Sequence, residues 1–452
     1  MNNQLKTIFT CAKCDAQFPK WSGRCLSCGA WGTVSESTVS KDSSNDSPAV
    51  RFDTKKLQDF KDVATEQFQR LKTNIAELDQ IFGGGIVNGS LTLLGGEPGI
   101  GKSTLVLQIL KEIKGGADAP LLYVSGEESA GQIKIRIDRL GYSPENLQFL
   151  GETSAEEIAS AIRTLKPRLA IIDSIQTIHS DELAAEAGNV AQIRACTVKL
   201  LEAAKTTNVP LILIGHVTKD GEVAGPKTLE HLVDVVLYLE GDRFHGFRIL
   251  RGSKNRFGST NEIGVFQMTG EGLQEVIDPG KAFLAETTRN YPGSALTCFI
   301  DGSRPFLAEV QALVTPTIFG FPQRKTSGYD VNRLQMLSAV LYKRANINLN
   351  SQDIHLNIVG GLKLNDPSID MAVAAAIVSA LKNQTISKDT LIIGELGLGG
   401  ETRPISNIER RIAEAEKMGF TRIICPKIKP LKPSSTQIVM VESLAEMISK
   451  LQ

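Results

Sequence analysis

The sequence has no net charge, no long apolar run and no repeat, and each absence removes a class of protein. Lys+Arg and Asp+Glu both number 50, so the formal net charge at neutral pH is zero. A strongly positive whole-molecule field is excluded, and any nucleic-acid surface has to be a local basic patch. No apolar stretch approaches the ~18 residues of a membrane-spanning helix. The opening segment "MNNQLKTIFTCAKC" lacks the long apolar core of a secretory signal, so a cytoplasmic protein with no membrane partner is expected. There is no internal repeat, no collagen-like period and no coiled-coil segment. Cysteine is sparse outside one place: Cys196, Cys298 and Cys425 are scattered, as buried thiols in a reducing compartment would be.

What is present is a chain of 452 residues, too long for one ordinary core, with the apolar content of a globular protein. Composition divides it into a cysteine-rich head (1–34), a Ser/Asp-rich linker (35–64) that includes "SESTVSKDSSNDSP", and two α/β regions (65–280 and 281–452). In the first α/β region the apolar runs "LTLL" (91–94), "LLYV" (121–124), "LAII" (169–172), "LILI" (211–214) and "VVLYL" (235–239) alternate with segments of helical spacing. Fully apolar strands alternating with amphipathic helices predict a mostly parallel sheet covered on both faces. The pattern breaks around 275–285, and helices are expected near 330–344, 369–382 and 407–418.

The head carries Cys11-x2-Cys14 and Cys25-x2-Cys28, two pairs ten residues apart. Each pair turns two thiolates toward one point, and two such knuckles complete a closed tetrahedral set. The intervening "DAQFPKWSGR" is too short to bury a core, so a structural zinc ion (Zn2+) is expected to organise it. Disulfides are opposed by the reducing compartment, and a redox CxxC by the presence of two motifs. Phe18, Trp21 and Trp31 are expected to pack around the knuckle, with base stacking as the alternative for exposed rings.

"GGEPGIGKST" (95–104) is a phosphate-binding loop with a strand before it and a helix after it. Gly96, Glu97, Pro98, Gly99, Ile100, Gly101, Lys102, Ser103 and Thr104 would cradle the phosphates of ATP with backbone N–H groups. Lys102 would neutralise the β/γ oxygens, and the Ser103 hydroxyl would ligate Mg2+. Asp173 ends the apolar strand "LAIID", where a magnesium-ordering acid is expected; the alternative is a cap for the next segment. "YVSGEES" (123–129) offers Glu127 or Glu128 to position the attacking water, with Glu127 favoured. His216 ends "LILIGH", in the place of a γ-phosphate sensor, or serves only as a strand-end cap.

The run "GGGIVNGSLTLLGGEPGIGKST", "YVSGEES", "GHVTKDGEVAGPKTLEHLVD", "KNRFG" (254–258) and the four-cysteine head together resemble the RadA/Sms family of bacterial DNA-repair ATPases, over essentially the whole chain. The resemblance implies a RecA-like P-loop core and a hexameric ring that binds single-stranded DNA. It further implies branch migration of recombination intermediates in cooperation with the RecA recombinase. From Arg243 to Asn261 there are five Lys/Arg and no acid, a local basic run in a neutral protein. Within it Lys254 and Arg256 are candidates for DNA phosphates or for a neighbouring subunit's γ-phosphate. Arg194 in "AGNVAQIR" and Lys219 and Lys227 in "VTKDGEVAGPK" fall where such motors place DNA-facing loops.

The C-terminal region resembles the peptidase domain of Lon proteases, with Ser368 in "LNDPSIDMAVAAAI" at the nucleophile position and Glu409 where the catalytic lysine would stand. A carboxylate cannot replace the neutral amine of a Ser–Lys dyad, so no peptidase is expected and Ser368 reads as a helix N-cap. Two other classes remain open at this point. A circadian-clock-type signalling ATPase shares the glycine run and P-loop but normally lacks the cysteine head and Lon-like tail. An ATP-dependent protease is opposed by Glu409.

Overall fold

A computed structural model describes residues 6–13, 16–39, 69–113, 119–143, 145–216, 229–241, 246–276, 290–318, 320–361, 363–427 and 436–451. The chain divides into two compact units, Met1–Glu66 and Gln67–Gln452. The first holds a three-stranded antiparallel sheet in which Lys6–Cys11 lies between Gln17–Phe18 and Val34–Val39. Its core is minimal: Cys11, Cys25 and Val34 are buried, with Phe18 packed against them. Trp21 and Trp31 do not join it. They are 65% and 75% exposed, Trp21 donating its indole N–H to Val34 O and Trp31 lying under the Arg24 guanidinium. The expected packing therefore holds for Phe18 alone, because so few residues cannot enclose two indoles.

The second unit contains two sheets. In the nine-stranded sheet the spatial order runs Gly272–Glu275, Ile263–Thr269, Phe247–Asn255, Val235–Gly241, Leu91–Gly96, Leu211–His216, Leu169–Asp173, Leu121–Ser125, Leu147–Leu150. The six strands from Val235–Gly241 onward are mutually parallel, and the other three add antiparallel hairpins to one edge. All five apolar runs are strands. Helices Lys102–Ile113, Ala130–Arg139, Ala155–Leu165 and Val190–Thr207 fill the intervals, and apolar cores form on both faces. Burial on both sides is why those runs are continuous rather than alternating. Arg194 lies in the first turns of Val190–Thr207, with its guanidinium 3.4 Å from His231 Nε2, so it is not on a loop. The Asn189 side chain caps that helix at Ala191 N, which starts it before Arg194 is reached.

The seven-stranded sheet is mixed and ordered Arg324–Ser327, Gln352–Ile358, Arg304–Pro316, Ser294–Asp301, Thr390–Ile392, Arg422–Pro426, Gln437–Val441. Helices Val331–Ala345, Asp370–Lys382 and Ile408–Lys417 occur where expected. Asp370–Lys382 is buried from Asp370 to Ser379, the fate of a helix that is apolar all round. The two sheets share a core, since Phe247, Ile263 and Val265 of the first cluster with the second. Charge seals the seam. Arg304 pairs with Glu77 at 2.7 Å, and Arg251 grips Asp301 through two 2.6 Å hydrogen bonds. No helix among the described residues is long and apolar enough to cross a membrane.

Candidate nucleotide site and metal ribbon

The parallel strands deliver their carboxyl ends to one edge, and the phosphate loop, Glu127, Asp173 and His216 meet there. Leu91–Gly96 runs into the loop, and Lys102 opens the next helix. Gly96 has φ +155°, and a Cβ there would lie 2.6 Å from Leu239 O, so only glycine passes the neighbouring strand. Glu97, Pro98 and Gly99 are exposed, while Ile100 is buried. Lys102 is buried and donates to Gly96 O and Glu97 O at 2.9 and 3.0 Å, bracing the loop from inside. Burial pushes its ammonium down to about 8, opposed by the Asp173 and Glu127 carboxylates. A buried cation, a helix N-terminus and exposed loop amides form a cradle that fits a polyphosphate.

Asp173 and Ser125 pair across adjacent strands, which sets the two acidic segments side by side. Asp173 is 6% exposed, and its Oδ2 accepts a 2.6 Å hydrogen bond from the Tyr123 hydroxyl. The two glutamates diverge. Glu128 pairs with Arg136 of the following helix, whereas Glu127 accepts from Ser174 Oγ and lies 3.9 Å from His216 Nε2. Ser129, not a glutamate, caps Ala130–Arg139 in a reciprocal box with Gln132. Burial first, and then Lys102, lower the His216 pKa below the usual 6.5, and its buried Nδ1 has no hydrogen-bond partner among the described residues.

The described cations of the basic run do not form one face. Arg248 donates to Ile100 O of the phosphate loop at 3.1 Å, and Arg251 is taken by Asp301 and Glu240. Lys254 Nζ donates to Glu230 O at 2.7 Å. Arg256 pairs at 3.1 Å with Asp234, a 1%-exposed carboxylate that also binds Lys205 and accepts from Leu91 N. Lys254 sits opposite Val236, and Val235 and Val236 pair with Thr92 and Leu93. Lys254 and Arg256 thus stand at the amino end of the Leu91 strand, opposite the phosphate loop. Sequence reasoning missed Arg248 and Tyr123; the one looks like general surface charge and the other like core. Lys219 and Lys227 lie outside the described residues.

In the metal ribbon, Cys11, Cys25 and Cys28 bring their sulfurs within 4.8 Å of one another, Cys11 and Cys28 at 3.8 Å. A tetrahedron with metal–sulfur bonds of about 2.3 Å has edges of about 3.8 Å, so the spacing fits zinc. Backbone N–H groups of Lys13 and Cys28 point at Cys11 Sγ and Cys25 Sγ, which favours thiolates. Cys14, the fourth predicted ligand, lies outside the described residues.

In the C-terminal region two expectations need correcting. Ser368 is not a helix N-cap: it lies in a short 3-10 turn, and the cap position of Asp370–Lys382 is Ile369, with no side-chain bond. Glu409 does not face Ser368 either. It is exposed, and Arg411, two residues on and therefore on the opposite helix face, donates to Ser368 Oγ at 2.7 Å. The Arg411 guanidinium is 1% exposed and also binds Asp366, Cys298 O and Ser406 O.

This fold and loop define a RecA-like P-loop nucleotide-binding protein with an appended metal ribbon. Models of an AAA domain, the ChlI subunit of Mg-chelatase and a rubredoxin metal-binding domain match residues 54–222, 313–429 and 9–36. The chain belongs to the RadA family of DNA repair proteins. It is 44% identical to DNA repair protein RadA of Bacillus subtilis over 98% of each chain, and 42% identical to that of Listeria monocytogenes over 98% of each. It is also 47% identical to that of Streptococcus pyogenes over 93% of each. A solved structure of the RadB recombinase aligns with 46% of this chain and 99% of its own at 23% identity, TM-score 0.36.

Proposed function

We propose that this chain is a DNA-dependent ATPase of DNA repair. It would translocate on single-stranded DNA as a homo-oligomeric ring, six subunits in the family resemblance, and promote branch migration of recombination intermediates beside the RecA recombinase. Its place would be the cytoplasm, with its DNA. Domains 1–34, 65–280 and 281–452 would be the zinc ribbon, the motor and a Lon-like scaffold, and the linker expected over 35–64 would begin only after Val39, where the third strand of the ribbon ends.

Loop residues 96–104 would hold ATP, with Lys102 on the β/γ oxygens. Ser103 and Asp173 would hold Mg2+, which when bound draws charge from the phosphate oxygens. Glu127 would take the proton of the attacking water, because Glu128 is already committed to Arg136. His216, neutral at neutral pH, would report the γ-phosphate to the segment that follows it. Lys219, Lys227 and Arg194 would meet DNA. Peptidase chemistry is not expected: the group that meets Ser368 Oγ is a guanidinium that only donates hydrogen bonds and has no site to accept the serine proton.

One observation carries the ring reading. Lys254 and Arg256 stand about 15 Å from their own phosphate loop, four or five residues along a strand at ~3.3 Å each. Two cations at that edge cannot reach their own γ-phosphate; in a ring they would serve a neighbour's, where such a group is worth ~10³-fold in rate. Mixing tests this. Lys102→Ala and Arg256→Ala subunits, each inactive alone, should recover part of the ATPase when combined. No recovery in rings verified as mixed would exclude action across the boundary.

A further inference from the structure

The strand Leu121–Ser125 carries two polar side chains, Tyr123 and the terminal Ser125, and the Tyr123 hydroxyl makes a single contact. The ring lies in the apolar core beneath the phosphate-loop helix, among residues such as Leu94, Leu105 and Ile171. Tyr123 pairs with Ile171 across the adjacent parallel strand. Asp173 therefore lies two residues, or about 6.6 Å, further along the neighbouring strand, within the span of a tyrosine side chain. The hydroxyl reaches forward and donates to Oδ2 at 2.6 Å, with the tyrosine 1% and the aspartate 6% exposed.

We propose that Tyr123 is a positioning residue: it holds one oxygen of Asp173, so that the carboxylate presents only Oδ1 to the magnesium of the nucleotide site. This rests on the reading of Asp173 as the magnesium acid. The terminal torsion of an aspartate is broad and roughly two-fold, so an untethered carboxylate at a strand end turns freely between orientations. No described residue donates to Oδ1, which leaves the Tyr123 bond as the one side-chain contact that fixes its rotation. A phenylalanine would fill the same core volume. It would leave Oδ2 without a donor in a nearly closed site, and the carboxylate would lose its orientation. The opposing view is that the buried hydroxyl merely needed an acceptor and found Asp173. That view makes the contact a matter of stability with no bearing on the metal.

Nucleotide binding measured against magnesium concentration separates the two. A fluorescent ATP analogue is titrated into full-length wild type, Tyr123→Phe, Asp173→Asn and the double variant, in chelator and across a magnesium series, with thermal melting alongside. Tyr123→Phe should leave binding in chelator unchanged and raise the magnesium concentration needed for half of the metal-dependent gain by roughly 10-fold, the lower end for loss of a group that orients a metal ligand. On the Asp173→Asn background the same change should add nothing. Competition of Mn2+ for the site, read by paramagnetic resonance, should move in parallel. An unaltered magnesium requirement in folded Tyr123→Phe, with Asp173→Asn shifted, overturns the positioning role alone. An unaltered requirement in Asp173→Asn overturns the reading of Asp173 beneath it. If Tyr123→Phe does not fold, Asp173→Asn decides: a shift there with no change in the Mn2+ signal rejects the proposal.

Discussion

Replacing Arg411 by alanine should destabilise the C-terminal region severely while leaving no enzymatic trace of a peptidase. The guanidinium makes four hydrogen bonds: to Ser368 Oγ (2.7 Å), Cys298 O (2.5 Å), Asp366 Oδ2 (2.8 Å) and Ser406 O (3.2 Å). Removal strips Asp366 of its cation, and breaking one side of a buried ion pair costs about 3–5 kcal/mol. Burial by itself would raise the Asp366 pKa. Arg411 and Ser368 N hold it below the ordinary value, so the variant leaves a carboxyl poised to protonate. At roughly 1 °C per kcal/mol for a unit as large as Gln67–Gln452, the melting temperature should fall by about 5 °C. Ser368→Ala loses one of the four bonds, about 1 kcal/mol or about 1 °C, and should cost almost nothing once Arg411 is gone. Calorimetry of the full-length chain reads both. If Arg411→Ala melts within 2 °C of wild type, Arg411 is not a structural pin. Turnover of an unfolded protein substrate that disappears in Ser368→Ala would refute the absence of a peptidase.

Two further outcomes are expected. Metal analysis of protein purified under reducing, chelator-free conditions should give one zinc per chain, lost on Cys25→Ser, and metal-free protein would return the cysteines to a redox role. Glu156 bonds Ser180 and Lys199; burial alone would raise its pKa, but these partners bring it down from 4.5 to about 2. Because the folded-state value is depressed, its contribution is complete above pH 4.5 and is lost as pH falls through about 2. The melting-temperature gap between wild type and Glu156→Gln should therefore be constant above pH 4.5 and close toward pH 2, and a gap indifferent to pH would refute the assignment.

The central strands were legible because burial on both faces leaves an unmistakable run such as "LILI" or "LAII". Leu147–Leu150 and the hairpins from Phe247 to Glu275 were not. At the sheet edge their residues are partly exposed, and the run loses its continuous apolar signature. The phosphate loop could be read locally because its chemistry is local. Arg411 could not: a two-residue offset on Ile408–Lys417 reverses the helix face, and only the packed helix shows which face meets Ser368. Glu127 and Glu128 could not be told apart locally for the same reason, since what distinguishes their surroundings is the pairing of Glu128 with Arg136, eight residues further on. Tyr123 was hidden by its own usefulness to the core, where an aromatic ring excites no notice.

The most direct test of the whole account is the rate of ATP hydrolysis with and without single-stranded DNA, on protein whose mass is fixed by light scattering. The account predicts a ring-sized particle whose turnover rises on adding single-stranded DNA and is abolished, with DNA or without it, by Lys102→Ala. Hydrolysis indifferent to DNA, or surviving in Lys102→Ala, would contradict it.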